Sequence, residues 1–409
     1  MEKALLVIIK HEKEDKNWEA ESLGAELREL ARSSGVFIAG ELIARRSDFT
    51  AKYLIGEGKI RQIADKSRAL GCQVVIFNHD LNGTQQRNLE DVLDTKTIDR
   101  TQLILDIFAQ RAHSKEGKIQ VELAQLIYLL PRLTGKGIIL SRLGGGIGTR
   151  GPGEKKLEAD RRKIREKIVR LKKELDLATA QREARRKNRR RFDTPSVALV
   201  GYTNAGKSTL FNAFTASGAY VKDKLFSTLD PTVRKYTLPN NQTIVFSDTV
   251  GFIHNLPHHL IESFKATLEE AVHADILLHV VDMSHPRIEE CRVAVEGVLS
   301  DLGLEGKSVV NVLNKRDLLS DEMLASGITG RFDSPVVISA LRKAGLDALN
   351  ERLMQELSSL MTYISVELHQ TDMKRLNIIY TYGNVLKKEY RGNKVYIEAA
   401  IPERFRGLL

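Results

Sequence analysis

Cysteine is scarce: only Cys72 and Cys291 occur in 409 residues, far apart and without CxxC spacing, so neither a disulfide framework nor a zinc site is expected. Long apolar runs are missing as well. No stretch reaches membrane-spanning length, and the early run from Ala4 to Ile9 is too short for a signal peptide and fits a buried strand. A soluble protein of a reducing, cytoplasmic compartment is expected, with peripheral membrane contact still compatible. Acidic residues fall short of basic ones, 53 against 63, and the net charge of +10 favours a polyanionic partner without naming it. What is present is 42% apolar residues, enough for sizeable cores, in a chain whose length suits two or three domains. A monomer is expected.

Before residue 201 there is no Walker pattern; at that point Gly201-Tyr-Thr-Asn-Ala-Gly-Lys207-Ser208 meets the full GxxxxGK[ST] spacing. It follows the apolar run Val197–Val200 and precedes the helix-forming run Thr209 to Phe214. A strand entering a glycine turn lets backbone N–H groups converge on phosphate oxygens, and the following helix N-terminus adds partial positive charge. Tyr202, Thr203, Asn204, Ala205, Gly206 and Thr209 belong to this cradle, Lys207 reaches the β/γ-phosphates, and Ser208 ligates Mg²⁺.

Three later segments narrow the nucleotide to GTP. Ile244-Val-Phe-Ser-Asp248-Thr-Val-Gly251 is a strand ending in DxxG, where Asp248 can hold Mg²⁺ through water and the Gly251 N–H can meet the γ-phosphate. Val309–Leu313 leads into Asn314-Lys315-Arg-Asp317, an NKxD motif. The Asp317 carboxylate can accept from guanine N1–H and N2–H₂, a pair adenine does not offer. Asn314 would meet the acceptor edge of the base while the stem of Lys315 covers its face. A third strand ends in Ser339-Ala340-Leu341, a loop that can present a backbone N–H to guanine O6. DxxG or SA alone says little. All four in this order, each after a predicted strand, put a ligand where open α/β sheets bind ligands.

Between the Walker and DxxG segments lies Leu225-Phe-Ser-Thr228-Leu-Asp-Pro-Thr232, the place of a first switch. Thr228, with Thr232 as alternative, can complete the Mg²⁺ shell when a γ-phosphate is present. The candidate catalytic set is therefore Lys207, Thr228 and Gly251, and the metal set Ser208, Thr228 and Asp248. Where many small GTPases have a water-orienting glutamine, this chain has Phe252. A slow intrinsic rate follows, with the missing group coming from a partner, an ion or a switch rearrangement. Asn204 can help hold K⁺ beside the phosphates, or can simply tolerate an unusual backbone angle in the loop.

Ahead of the GTPase segment, short apolar runs alternate with helical periods: Ala4 to Ile9, Trp18 to Arg32, Val36 to Ile43, Ile60 to Leu70, Val74 to Phe77, a helix through Leu89 to Leu93, and another over Leu103 to Ala109. This predicts a small, mostly parallel α/β unit. Ile55-Gly56-Glu-Gly58-Lys59 has the look of a phosphate turn, but no convincing strand precedes it and a plain strand-to-helix turn fits better.

Ile119, Leu123, Leu126 and Leu130, then Ile164, Ile168, Leu171, Leu175 and Ala178, recur at helical spacing and predict two helices with matching apolar seams. Between them runs a loop rich in glycine, from Thr134 to Gly153, too long and too small-sided to pack a core. Arg142, Arg150, Lys155, Lys156, Arg161 and Arg162 surround its tip, and seven more Lys or Arg close the second helix between Arg182 and Arg191. This excess of one sign reads as phosphate-backbone contact, with glycines allowing close approach to RNA. After the GTPase segment, Ile364–Leu368, a helical stretch Met373–Tyr380, and the hairpin Val385–Tyr390 and Lys394–Ile401 suggest a small α+β cap. The expected fold is α/β: an N-terminal α/β subdomain (1–112), a basic helical hairpin with its glycine loop (113–192), a P-loop GTPase domain (193–361) and the cap (362–409).

The whole chain resembles the HflX family of ribosome-associated GTPases. The residues that carry the resemblance are Asp99 to Phe108, Gln120 to Gln125, Gly144 to Glu154 with Leu157, Glu158, Asp160 and Arg161, the Walker loop, and Thr228 to Thr232. It implies a hairpin loop that enters the large ribosomal subunit near the peptidyl transferase centre, GTP hydrolysis stimulated by the ribosome, and splitting of stalled or idle ribosomes, often under stress. Phe252 fits the hydrophobic residue typical of this group. Asn82-Gly83 departs from the Ser-Pro expected there. Two other readings stay open: a GTPase assisting ribosome assembly or RNA modification, and an RNA-binding protein in which nucleotide is a stability switch.

Overall fold

The computed structural model describes the chain except residues 1, 14, 16–17, 134–151, 192–193, 216–224, 227–228, 230–231, 255–256, 258–259, 261–264, 321–326, 360, 403–406 and 408–409. Strand β1 (Lys3–His11) is buried on both faces because Ala4 to Ile9 are all apolar. Side-chain alternation divides them. Ala4, Leu6 and Ile8 share a core with Leu23, Leu27 and Leu30 of α1 (Ala20–Ser34), whereas Leu5, Val7 and Ile9 share another with Ile60 and Ile63 of α2 (Glu57–Leu70). With β2 (Phe37–Arg46), β3 (Val74–Phe77) and β4 (Lys96–Asp99) this makes a four-stranded parallel sheet in the order β2-β1-β3-β4. The expected α/β unit is therefore wholly parallel, each crossover carrying a helix, the third being α3 (Gly83–Leu93).

Three local details differ from or complete the pattern. β4 has no sequence signature: Lys96-Thr-Ile-Asp is mostly polar, and its strand state comes from pairing with β3. Trp18 precedes α1 rather than opening it. Asn82, where Ser-Pro was expected, caps α3: its side chain accepts from the N–H groups of Thr84 and Gln85, and the Gln85 side chain accepts from the Asn82 N–H, a closed capping box. Gly56 is the N-cap of α2, the plain turn into a helix.

Asp99 fastens the next elements. It caps α4 (Arg100–Arg111) through Gln102 N–H at 2.8 Å and accepts from Leu81 N–H at 3.0 Å. From α5 (Lys115–Arg132) it also receives Tyr128 O–H at 2.8 Å and Arg132 Nη2 at 2.9 Å. The carboxylate is fully buried; burial, with Asp80 nearby, raises its pKa, and Arg132 opposes the shift. Helix α5 packs on α6 (Pro152–Arg191) along the predicted seam, with Ile119, Leu123, Leu126, Ile168, Leu171 and Leu175 in one cluster.

The GTPase segment forms a six-stranded sheet from β5 (Ser196–Val200), β6 (Thr232–Thr237), β7 (Thr243–Asp248), β8 (Ile276–Asp282), β9 (Ser308–Asn314) and β10 (Val336–Val337), in the order β10-β9-β8-β5-β7-β6. Only β6 runs antiparallel to its neighbour. Helices α7 (Lys207–Thr215), α8 (Lys265–His273), α9 (Ile288–Asp301) and α10 (Leu346–Ser359) surround it. The chain ends in a three-stranded antiparallel sheet, β11 (Met361–His369), β13 (Lys394–Pro402) and β12 (Asn384–Arg391), against α11 (Met373–Tyr382), whose Leu376 and Ile379 cover its apolar face. Among the described residues no helix is long and apolar enough to cross a membrane.

Of the first two cores, the one on the α1 side does not end at the GTPase segment. One apolar cluster runs from α1 and α4 to Tyr202, Leu225, Phe226, Val250 and Phe252, with the Phe108 ring edge-on to Phe226 at 4.7 Å.

Candidate functional site

β5 lies between β7 and β8, so its C-terminal end emerges at the middle of the sheet and delivers Gly201 to the turn into α7. The turn is tied to the segment after Asp248: Phe252 N–H donates to Gly201 O at 3.1 Å and Thr203 N–H to Phe252 O at 2.7 Å. Gly206 has φ +93°, and a Cβ there would come within 2.2 Å of Asn314 Nδ2, so glycine alone fits. Gly251 is also tight, though less so, since its Cβ would lie 2.9 Å from Thr203 Cα and 3.0 Å from Lys207 Nζ. DxxG thus rests directly on the Walker turn.

Lys207 Nζ donates to the carbonyls of Gly201 at 3.0 Å and Tyr202 at 2.7 Å. Burial brings its pKa down to about 8, with the Asp248 charge opposing. Ser208 Oγ donates to Asp248 Oδ2 at 2.7 Å, and both residues are buried. A hydroxyl and a carboxylate so close are an oxygen donor pair of the kind hard divalent cations take. Asn204 is half-buried with φ +61°, the left-handed conformation asparagine tolerates, and Thr209 follows on the first turn of α7.

On the other side of the turn, Asn314 uses both ends of its amide on protein. Its Nδ2 donates to Ala205 O at 2.9 Å and its Oδ1 accepts Ala340 N–H at 2.9 Å, so it staples three loops together. Asp317 is exposed, and its Oδ1 accepts the Ser339 hydroxyl. Leu341 is exposed at the rim. Lys315 stands at φ +65° with its ammonium 2.8 Å from Asp282.

The structure therefore gathers Gly201 to Thr209, Asp248, Gly251, Asn314, Lys315, Asp317 and Ser339 to Leu341 at the C-terminal ends of β5, β7, β9 and β10. Arg161 and Arg162 stand elsewhere, on α6, half-buried and exposed respectively. Thr228, Arg142, Arg150 and the glycine loop up to residue 151 lie outside the described residues, as do the side chains of Lys155 and Lys156, whereas Pro152 and Gly153, expected in the loop, already open α6.

Sequence reasoning missed how this site meets the N-terminal sheet. Tyr202 sends its side chain away from the turn: its hydroxyl donates to the Glu26 carboxylate of α1 and accepts His254 N–H at 2.9 Å. Burial beside Glu26 raises the phenol pKa well above its ordinary value. Arg100 pairs with Glu26 at 2.6 Å and also donates to His254 O, and the His254 ring stacks on Trp18 at 4.2 Å. Asp15 sits beside His254 at 3.7 Å and His79 at 3.2 Å; burial alone would raise its pKa, but the two rings and the hydrogen bond from His11 N–H hold it well below the carboxylate range. Glu26 is 176 residues from Tyr202. The one signal was a glutamate beside the Leu23–Leu27–Leu30 stripe of α1, where a half-buried acid needs a partner.

Three family models match the chain: GTP-binding GTPase N-terminal over residues 21–109, GTP-binding GTPase Middle Region over 111–189, and 50S ribosome-binding GTPase over 196–315. A GTPase HflX of Caldanaerobacter subterraneus is 46% identical, the alignment covering 100% of this chain and 94% of that protein. GTPase HflX of Lacrimispora saccharolytica is 45% identical over 92% of this chain and 89% of that one. GTPase HflX of Escherichia coli is 45% identical over 81% and 78%. With such identity over nearly the full length, and a nucleotide-type turn at the centre of the sheet, the chain belongs to the HflX family of GTPases.

Proposed function

We propose that the protein is a GTP-hydrolysing factor that binds the large ribosomal subunit and splits stalled or idle ribosomes, with a low rate of its own that the ribosome raises. The GTP part is carried by the convergence of Lys207, Ser208 with Asp248, Gly251 and Asp317 on one side of one sheet. Lys207 supplies the cation for the β/γ-phosphates, Gly251 N–H meets the γ-phosphate, and Asp317 accepts from guanine N1–H and N2–H₂. Ser208 and Asp248 fit Mg²⁺, joined by Thr228 when GTP is bound; Mg²⁺ when present neutralises charge on the phosphate oxygens. Asn204 is the residue that would hold K⁺.

Phe252 supports the low intrinsic rate: it is fully buried and has no group to orient water. The ribosomal partner is supported by the description of the model matching residues 196–315 and by the Lys and Arg excess around the hairpin, including Arg142, Arg150, Lys155, Lys156, Arg161 and Arg162. The division at 112, 192 and 361 belongs to the same reading. The deciding experiment measures phosphate release with and without purified large subunits, in K⁺ and in Na⁺, alongside light scattering of intact ribosomes. Subunits should stimulate turnover, scattering should fall only with GTP, and K⁺ should outperform Na⁺. Turnover indifferent to subunits would overturn the ribosomal reading.

A further inference from the structure

We infer that Asp282 is a positioning residue for guanine nucleotide: it holds the Lys315 ammonium so that the lysine stem is presented to the base. β8 and β9 are adjacent parallel strands in register, Asp282 opposite Asn314, so the last residue of one strand sits beside the start of the NKxD loop. Met283 N–H donates to Asn314 O at 3.0 Å, which locks the two strand ends together. The two carboxylate oxygens of Asp282 then divide their work. Oδ1 accepts Ser284 N–H at 2.9 Å and Ser284 Oγ–H at 2.6 Å, a turn that fixes the carboxylate plane. Oδ2 is left for Lys315 Nζ at 2.8 Å.

Lysine is a long, flexible cation, and a stem that covers a base must lose its freedom at some stage. Here the backbone at φ +65° and the ion pair fix both ends of the stem before any ligand arrives. Ordering done in advance is not charged against binding. The pair is also sheltered, with side-chain exposures of 24% for Lys315 and 16% for Asp282, so it is held more firmly than an open surface pair.

This inference rests on reading the NKxD loop as the guanine site, and the test separates the two. Release of a methylanthraniloyl-GDP probe from the full-length Mg²⁺ protein is followed by stopped flow. Asp282→Asn should speed release about tenfold, within the range seen for side chains in contact. Lys315→Met should speed it at least as much, and the double variant should be no faster than Lys315→Met alone. Ser284→Ala, which loosens the carboxylate without removing it, should give a smaller change in the same direction. An unchanged rate in Asp282→Asn, or the same acceleration in the Lys315→Met background, would overturn the positioning role, because a merely structural aspartate would cost both backgrounds equally. A wild-type protein that does not bind the probe would instead overturn the site itself.

Discussion

The chain contains one wholly parallel sheet and a second that is parallel except for β6, and they use what lies at their strand ends in different ways. In the N-terminal sheet the C-terminal ends of β1, β3 and β4 close on themselves. Asn78, after β3, bonds both Ile9 N–H and Ile9 O, and Asp99, ending β4, is consumed by Leu81, Gln102, Tyr128 and Arg132. In the GTPase sheet the residues that end the strands, Asp248, Asp282 and Asn314, are bonded too, but the loops just beyond them leave a crevice: glycines bring backbone close, Asp317 is exposed, and Lys207 is held by carbonyls rather than a bonded carboxylate. A parallel sheet offers a crevice outside its carboxyl ends in either case. Whether that crevice becomes a ligand site or an anchor for other elements depends on which side chains stand there.

The largest effect should come from the anchor. Asp99→Ala leaves the half-buried Arg132 without its counter-charge and strips Leu81, Gln102 and Tyr128 of their acceptor, and losing one member of such a pair costs about 3 kcal/mol. The thermal midpoint should drop sharply while probe-GDP affinity of the folded protein at low temperature is kept; equal loss of both would mean the two sheet ends are not separate in function. The reverse is expected of Lys207→Ala, where phosphate release should fall roughly 10²–10³-fold, the scale for removing one charge-stabilising group. Its melting temperature should hold, since the residue removed is a buried cation.

A pH titration sharpens the contrast further. Lys207 is protonated below about pH 8 and loses its charge above it, while the unfolded chain keeps that proton to about 10.5. GTP favours the charged form, so affinity should be level below pH 8 and weaken above it by up to about tenfold per unit. Calorimetry at pH 7 and 9, in buffers of different ionisation heat, should show proton uptake on binding only at the higher pH. The same shift makes the ligand-free protein gain stability from this group as pH rises between those two values, because the unfolded state binds the extra proton. The smallest effect is local: Asn82→Ala removes the capping box of α3 and should cost about 1 kcal/mol by denaturant unfolding, with nucleotide affinity unmoved.

Much of the GTPase sheet is legible in the chain because the apolar runs of β5, β7, β9 and the short β10 each lead into a motif, whereas the polar β6 and the motif-free β8 come only from the structure. The N-terminal alternation is legible too, except β4, whose four residues carry no period and become a strand only by pairing with β3. In the site, the Walker turn and the exposed Asp317 stand where their spacing suggests. Asn314 does more than its motif suggests: besides the base contact expected of NKxD, its amide donates to Ala205 O and accepts from Ala340 N–H, partners fixed by how three loops converge. Tyr202 likewise looks like one more loop residue, and its hydroxyl turns out to serve the meeting with α1.

Local chemistry is enough to specify the phosphate turn, the metal-type oxygen pair and the carboxylate that prefers guanine, because each needs particular residue types at short spacing. Long-range pairing is not encoded in spacing. Glu26, Arg100, Tyr202 and His254 come from four separate segments, and only the packing of α1 and α4 against the GTPase sheet brings their charges and hydrogen bonds within reach. Asp282 and Lys315 are a milder case of the same physics, neighbours because β8 and β9 run in register, although 33 residues of numbering, 282 to 315, separate them.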